Sequence, residues 1–250
     1  MMNDTLQLRL DSPPGIGWIE KRNPEEPDML ITLRSLGDMK LSSREGEQHR
    51  RRLYRNLALD EERVYSLRQV HSRNVLTAGD ISRTGMEGDG LISASSRDVL
   101  TVTVADCMPI FLFDPGKRVF ALVHSGWKGT GIAADAVGLM KDKYGCDPAK
   151  VTAVMGPSIR SCCYRVDGER AKIFQKNWGA DAVRWEEHDG EGMIPYLDLA
   201  AANRAVLYTS GVTDVRRIDI CTACNDDMGS FRREGPGAFT HMLAMIGFFQ

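Results

Sequence analysis

The sequence lacks any apolar run long enough to cross a membrane. A transmembrane helix needs about 18 or more consecutive apolar residues, and no such run occurs among the 250 residues. Residues 1–10 mix asparagine, aspartate, glutamine and arginine and contain no apolar core of a signal peptide. We therefore expect a cytoplasmic protein that does not bind membranes.

A surplus of charge of one sign is also missing. The chain has 32 Lys and Arg residues against 34 Asp and Glu residues, a formal net charge of −2. Nucleic-acid-binding proteins usually carry a basic excess, so we expect no nucleic-acid partner. Hydrophobic residues make up 42% and charged residues 26% of the chain, which is typical of globular proteins rather than disordered ones.

Internal repeats and low-complexity linkers are absent, and strand-like and helix-like segments alternate. Runs of apolar and β-branched residues predict strands at 64–70, 99–104, 110–113, 119–123, 151–155 and 215–220, the last clear strand. A hairpin turn at 114–117 joins the third and fourth of these. Spacing and capping residues predict helices over 43–59 (with Ser42 and Glu45 as a capping box), 132–144, about 167–178 and 198–210. We expect one mixed α/β domain over residues 1–250.

Histidine is scarce, with five residues, but two of them end predicted strands. His71 follows the strand at 64–70, His124 follows the strand at 119–123, and Cys107 lies just beyond a third strand. Imidazole and thiolate are good zinc ligands, and three protein ligands leave a fourth position for water or substrate. Because 36 residues separate His71 from Cys107 and 17 separate Cys107 from His124, three unrelated packed or surface residues remain the alternative.

The same ligand set suits blue copper, with Met108 as an axial ligand. Copper-transfer sites usually gather their ligands in one loop, whereas these are spread along the chain. A multicopper oxidase needs many more than five histidines, and no His-x-His pair occurs. We therefore favour zinc over copper.

Two carboxylates lie near these ligands in the sequence. Asp106, beside Cys107, fits a residue that orients a ligand or a general acid or base, and equally a carboxylate solvated at a strand end. Asp89 precedes a glycine and has the same ambiguity, although the dipeptide favours a turn.

Candidate anion contacts come from a glycine-rich loop and two arginines. Gly126 begins the loop 126–131 before a predicted helix, whose free N–H groups favour anions, and Lys128 adds positive charge. Such loops also arise for steric reasons. Arg232 and Arg233 fit bidentate anion binding or ordinary surface positions. The basic run at 50–55 is typical of a solvated helix face, with a phosphate-facing role for one arginine as the alternative.

The six cysteines show no regular framework and are expected to be thiols or metal ligands rather than disulfides. Cys221 and Cys224 form a C-x-x-C pair, which is half of a zinc site, and the adjacent pair Cys162 and Cys163 has the wrong spacing to complete it. No thioredoxin-like helix begins at the C-x-x-C pair, which disfavours a redox role. We expect buried, reduced thiols.

Short motifs follow one another in a characteristic order: QVHS at 69–72, DGLI at 89–92, ADCMP at 105–109, HSGWKG at 124–129, GPSI at 156–159, CCYRV at 162–166, YLDL at 196–199 with Asn203, CT at 221–222 and SFRR at 230–233. This series resembles the laccase-domain family, also labelled polyphenol oxidase, whose members are regarded as purine nucleoside phosphorylases. The resemblance extends from about residue 30 to the C-terminus. Each motif is short, and their order makes the series specific.

The resemblance implies a four-layer α-β-β-α sandwich with mixed sheets, similar to the catalytic domain of a deamidating bacterial toxin. It implies a catalytic zinc ion on His71, Cys107 and His124, for which Asp106 is the first candidate proton carrier. It also implies phosphorolysis of adenosine, inosine, guanosine and methylthioadenosine, together with adenosine deamination. Purine nucleosides and phosphate are the expected partners, and we expect a monomer or weak homodimer.

Three places depart from the family pattern, namely residues 35–38, 49–50 and 240–241. They leave the metal ligands intact and bear on substrate contacts. Two other functions stay open: an amidase acting on cell-wall precursors, which needs no phosphate, and a copper redox protein, which would be coloured.

Overall fold

The computed structural model describes residues 4–10 and 14–249. The ends of the expected domain 1–250, and the first three residues of the N-terminal stretch 1–10, lie outside the described residues. Across the described part of the chain, none of the helices combines the length and the apolar character needed to cross a membrane.

A larger sheet of seven strands mixes parallel and antiparallel pairs. In spatial order its strands are β1 (Thr5–Leu6), β14 (Asp214–Ile218), β11 (Thr152–Met155), β9 (Met108–Asp114), β10 (Val119–Ser125), β7 (Gly90–Ser93) and β6 (Val75–Thr77). The pairs β1–β14, β14–β11 and β7–β6 are parallel, and the three pairs in the middle of the sheet are antiparallel.

A smaller sheet of six strands packs against the larger one. In spatial order its strands are β2 (Leu8–Arg9), β3 (Ile16–Ile19), β4 (Asp28–Thr32), β15 (Met242–Gly247), β8 (Val99–Val104) and β5 (Val64–Ser66). Its pairs are antiparallel except β8–β5.

Helices cover both outer faces of the two sheets. The helices are α1 (Arg44–Asn56), α2 (Ile132–Tyr144), α3 (Gly168–Trp178), α4 (Leu199–Thr209) and the short α5 (Phe231–Glu234). A separate hairpin consists of β12 (Val183–His188) and β13 (Gly192–Leu197).

Alternation along β9 shows how the layers are built. Phe111 and Phe113 are buried between the two sheets, whereas Ile110 and Leu112 are buried against the helices, because successive strand side chains point to opposite faces. On the far side, α1 buries Leu53 against the outer face of the smaller sheet. The predicted four-layer α-β-β-α sandwich of a single mixed α/β domain is confirmed.

Most predicted elements are confirmed within a residue or two, including β8 and α2, and the differences have local causes. The predicted strand 64–70 ends at Ser66. Beyond it, Arg68 forms an isolated bridge with Glu87, and the N–H groups of residues 70–72 donate to the Asp89 side chain. The helix α1 is capped by Ser43, which accepts from the Gly46 N–H at 3.0 Å, and not by Ser42. The strand predicted at 215–220 is not the last one, because β15 follows it. The sequence of β15, MLAMIG, contains one β-branched residue and no alternation of polar and apolar residues, so it did not predict a strand.

The prediction of a solvated basic face on α1 is wrong for Arg50. This side chain is buried and donates to the carbonyl oxygens of Met39 at 2.9 Å and Lys40 at 2.7 Å. A guanidinium has five donors in a rigid fork and suits such carbonyls. Arg50 thus fixes the segment that leads into α1.

Candidate active site

Strand register brings Cys107 and His124 together. In the β9–β10 hairpin, His124 pairs with Pro109 and Ser125 with Met108, so that Cys107 lies next to the end of β10. A Cβ on Gly126 would lie 2.8 Å from Cys107 Sγ. This close approach requires glycine at position 126 and explains its place there.

Asp89 connects both histidines. It is fully buried beside β7, and its Oδ1 lies 2.9 Å from Nδ1 of His124. The carboxylate also accepts backbone N–H groups from Val70, His71 and Ser72 at 3.2, 3.0 and 2.6 Å. These contacts draw the chain away from the sheet after β5. They hold His71 at a φ of 58°, a conformation that side-chain-bearing residues rarely adopt. Asp89 is therefore more than the turn residue that the sequence favoured.

The three candidate ligands shift one another's protonation. Burial alone raises the pKa of Cys107, but the charge of His124 and hydrogen bonds from both histidines outweigh burial and lower it to about 6. Burial lowers the pKa of His124, but the Cys107 thiolate and Asp89 outweigh burial and raise it to about 9. A thiolate beside two imidazoles is a strongly metal-binding combination.

The geometry of the three side chains fits a metal ion. One ligand atom from each of His71, Cys107 and His124 lies within 4.8 Å of the others, and the two imidazole rings are 5.0 Å apart. The Asp89 contact engages Nδ1 of His124 and leaves Nε2 for a metal, an arrangement common around zinc. We call these three residues the His-Cys-His site.

A cavity of about 600 Å³ lies over the His-Cys-His site, and all three residues line it. Its other lining residues are Lys40, Leu41, Ser42, Leu67, Arg68, Gln69, Thr103, Ala105, Asp106, Trp127, Ile159, Tyr164, Arg170, Leu199, Phe231, Arg232, Phe239 and His241. The volume suits a small organic molecule, and the lining offers aromatic faces, positive charges and three candidate metal ligands on one wall.

Asp106 lines this cavity, and both of its oxygens already accept hydrogen bonds. Thr222 Oγ1 donates at 2.6 Å and the backbone N–H of Arg232 donates at 2.7 Å. Its φ of 81° is a second positive value beside the cavity. These contacts join the β8–β9 connection to α5 and to Thr222. Proton transfer by Asp106 stays a prediction.

The two arginines predicted to bind an anion lie in different places, one at the cavity and one away from it. Arg232 lines the cavity, where its guanidinium donates to the carbonyl oxygens of Cys163 at 2.8 Å and Arg165 at 2.9 Å. Arg233 is turned to other carbonyl groups, including those of Thr222 and Asn225 at 2.8 Å each. The donors of Arg233 are therefore used within the fold, as those of Arg232 are, and Arg233 is not among the cavity-lining residues. Anion binding by either arginine stays a prediction.

The loop 126–131 also differs from the expected anion site. Trp127 lines the cavity, whereas Gly126 and Lys128 are not among the lining residues. Lys128 is exposed, with its ammonium 5.7 Å from the Trp127 ring. A Cβ on Gly131, which caps α2, would lie 2.8 Å from Trp178 and 3.0 Å from Arg73. The helix entry is therefore packed against side chains, and phosphate binding by this loop stays a prediction.

Several cavity residues were not found from the sequence. Arg170, in the first turn of α3, lies 4.6 Å from the Trp127 ring centre. Phe231 and Phe239 form an edge-to-face pair at 5.1 Å. No local pattern marks these residues, because they meet through the packing of three distant segments.

Two of the departures from the family pattern form one contact. Oδ1 of Asp38 lies 2.8 Å from Nδ1 of His241 and accepts its backbone N–H at 2.8 Å. His241 lines the cavity. His49 contacts the same segment, with its Nδ1 2.9 Å from the carbonyl oxygen of Asp38. The three departures therefore lie in contact with one another beside the cavity.

The prediction that the two cysteine pairs cannot complete one site is wrong. One sulfur from each of Cys162, Cys163, Cys221 and Cys224 lies within 4.8 Å of the others. All four are free thiols. Cys162 and Cys224 are exposed, which contradicts the expectation of buried thiols. We call these residues the four-cysteine cluster.

Comparison with known proteins gives consistent matches along the chain. The family described as multi-copper polyphenol oxidoreductase laccase matches residues 37–248. Purine nucleoside phosphorylase LACC1 of Mus musculus is 30% identical over 189 residues, which are 72% of this chain and 42% of the mouse protein. This chain therefore aligns with less than half of the mouse relative.

Bacterial relatives match over more of their length. Purine nucleoside phosphorylase YlmD of Geobacillus stearothermophilus is 32% identical over 213 residues, which are 80% of this chain and 77% of that protein. A crystal structure of YlmD from that organism superposes with a TM-score of 0.84 at 27% identity. The superposition covers 97% of this chain and 99% of the crystallised one.

Proposed function

The chain belongs to the multi-copper polyphenol oxidoreductase laccase family, and from this premise we propose that it is a zinc-dependent purine nucleoside phosphorylase. The observation that carries the proposal is the His-Cys-His site on the wall of a cavity of about 600 Å³. Three ligands, of which a buried carboxylate holds the two histidines, are typical of a catalytic metal site that keeps a position for substrate. The names of relatives such as LACC1 and YlmD supply the substrate class.

Zinc is the metal that the donor set favours. His71, Cys107 and His124 would hold the ion, which would act as a Lewis acid and activate bound water. Met108, the candidate axial ligand of a copper site, is packed in the apolar layer between the larger sheet and the helices. This placement supports zinc over copper.

The cavity walls fit the two halves of the reaction. In phosphorolysis, phosphate attacks the anomeric carbon of the ribose, the bond to the purine nitrogen breaks, and the purine leaves with a proton. Arg68, Arg170 and Arg232 line the cavity and supply positive charge for phosphate. Phe231 and Phe239 offer aromatic faces on which a purine can stack.

We propose adenosine deamination as a second activity of the same cavity. Water would replace the amino group at C6 of the purine, and ammonia would leave. Asp106 is the candidate proton carrier, but the hydrogen bonds from Thr222 and Arg232 favour a positioning role. An Asp106→Asn variant separates the two roles, because loss of a proton carrier changes the pH profile of kcat whereas loss of positioning lowers kcat at every pH.

Chromatography of adenosine incubated with the zinc-loaded protein, with and without phosphate, tests the proposal. Adenine and ribose 1-phosphate that appear when phosphate is present, and not without it, support the phosphorylase. Inosine in either tube supports the deaminase. Unchanged adenosine with metal bound would contradict the deaminase, remove adenosine as a substrate of the phosphorylase and favour a phosphate-independent amidase. The Cys107→Ala variant is the control for a contaminating enzyme.

A further inference from the structure

The four-cysteine cluster forms where two parallel strands leave the larger sheet. The chain continues from β11 to Cys162 and Cys163 and from β14 to Cys221 and Cys224. Beyond the strands, a parallel bridge between Ser158 and Cys221 keeps the two segments side by side. Because neighbouring parallel strands end at the same edge of a sheet, both cysteine pairs reach one place.

The sulfur positions fit a single tetrahedral ion. A zinc–sulfur bond of about 2.3 Å places tetrahedral sulfur atoms about 3.8 Å apart. Cys224 Sγ lies 3.6 Å from Cys162 Sγ and 3.3 Å from Cys163 Sγ, and the four sulfur atoms all lie within 4.8 Å of one another. This spacing has room for one ion and none for a cluster of several metal atoms.

Exposure distinguishes Cys162 and Cys224 from a thiol packed in the core, whereas Cys163 and Cys221 are half-buried against the apolar layer. Cys146, in contrast, is 3% exposed and lies within the apolar layer against the helices. Cys162 and Cys224 are exposed, so an ion can reach them. The backbone N–H of Arg160 points at Cys221 Sγ, 3.4 Å away. Such N–H contacts stabilise a metal-bound thiolate.

We propose that Cys162, Cys163, Cys221 and Cys224 bind one zinc ion as a closed tetrathiolate site. Four protein thiolates complete the coordination sphere and leave no position for substrate, so the role of this site is structural. This inference is independent of the proposed function, because it concerns different ligands.

The loops that the zinc would join carry one wall of the cavity. Arg232 donates to the carbonyl oxygen of Cys163, in one loop, at 2.8 Å. Thr222, in the other loop, donates to Asp106 at 2.6 Å. Tyr164, next to Cys163, lines the cavity as well. Zinc at the four-cysteine cluster would therefore fix both loops relative to the cavity.

Metal counting on the purified chain tests the proposal. The protein is prepared in a phosphine reductant with added zinc, freed of excess metal, and measured by inductively coupled plasma mass spectrometry. We expect about two zinc ions per chain in the natural sequence and about one in Cys162→Ser and in Cys224→Ser. Both changes are at exposed positions and open no cavity in the core. Cys146→Ala, the matched control, should keep about two.

Cobalt in place of zinc identifies the ligands of the second ion. In the Cys107→Ala background, cobalt bound at the four-cysteine cluster should give strong thiolate charge-transfer absorption, and adding Cys224→Ser should remove it. A natural chain that holds about one zinc ion, lost in Cys107→Ala and kept in Cys224→Ser, would overturn the proposal. So would a disulfide that joins Cys224 to Cys162 or Cys163 in the protein as purified.

Discussion

The molecule brings metal-binding side chains together in two regions that differ in how the ligands are supplied. The His-Cys-His site takes three ligands from three separate segments, and all of them line the cavity. The four-cysteine cluster takes two pairs from two neighbouring loops, and none of its cysteines is among the cavity-lining residues. Three ligands keep a position for a reactant, whereas four exclude it. Ligand number and placement therefore support the two roles that we propose, chemistry at the His-Cys-His site and structural support at the four-cysteine cluster.

The contacts behind the ligands differ as well. A buried carboxylate, Asp89, holds both histidines of the His-Cys-His site, whereas a backbone N–H of Arg160 contacts the four-cysteine cluster. A carboxylate behind a histidine ligand fixes the ring and increases its basicity. Backbone contacts fix a loop conformation. The comparison predicts that changes in the two regions affect different measurable properties.

The largest effect is expected from Cys107→Ala. It removes one of three ligands, and with it about 4 kcal/mol of transition-state stabilisation, or about a thousand-fold in kcat/KM for phosphorolysis. The cobalt absorption of the four-cysteine cluster should remain. Steady-state kinetics and cobalt titration of the same preparation measure both quantities. Activity retained within about ten-fold would show that the His-Cys-His site is not where the reaction occurs.

Asp89→Asn should weaken metal binding at the His-Cys-His site by about 10- to 100-fold, because the amide orients His124 without a full negative charge. Competition with a zinc chelator measures the dissociation constant. Asp80→Asn is the matched control, since Asp80 pairs with Lys143 at the surface. An equal loss of affinity at the four-cysteine cluster would mean that Asp89 acts on the whole fold.

The sequence supports prediction of the His-Cys-His site because Cys107 and His124 lie at strand ends that are visible locally. The strand predicted before His71 ends at Ser66, and Asp89 holds the backbone of that histidine instead. The hairpin from Met108 to Ser125 has an ordinary turn, so its register places Cys107 near His124. Asp89 was underestimated because its role depends on the pairing of β7 with β10, where Val123 faces Gly90. That pairing is a tertiary choice that no local pattern encodes.

The spacing of the two cysteine pairs does not predict the four-cysteine cluster, because spacing patterns describe zinc sites whose halves lie near each other in sequence. The cluster forms instead because β11 and β14 are parallel neighbours, although α3, the β12–β13 hairpin and α4 lie between them in the chain. The sequence pattern also did not predict β15, a central strand of the smaller sheet. Its burial on both faces replaces alternation with a continuous apolar run.

Cys162→Ser should lower the free energy of unfolding and leave the zinc affinity of the His-Cys-His site nearly unchanged. Loss of a bound structural ion at about 100 times its dissociation constant removes about 3 kcal/mol of unfolding free energy. For a chain of this size we expect a fall of roughly 6–12 °C in Tm. Differential scanning calorimetry of both chains with excess zinc measures this difference in Tm. The same comparison after both chains are treated with chelator is the control. A Tm difference that persists without metal would assign the loss to the side chain itself.

The smallest expected effect is on the free energy of unfolding at low pH, and it distinguishes the two regions in the metal-free protein. Burial alone raises the pKa of Asp89, but hydrogen bonds from His124 and Ser72 outweigh burial and lower it to about 2, below its ordinary value of 3.8. A carboxylate with a depressed pKa in the folded state stabilises the fold above about pH 4, and this contribution is lost as the pH falls towards 2. The difference corresponds to about 2 kcal/mol.

Urea unfolding of the chelator-treated protein from pH 5 to about pH 2.5 should therefore show a steeper loss of stability in the natural chain than in Asp89→Asn. Cys162→Ser should follow the natural chain, because the four-cysteine cluster contains no carboxylate. Equal slopes for the natural chain and Asp89→Asn would contradict the assignment of this charge to the His-Cys-His site.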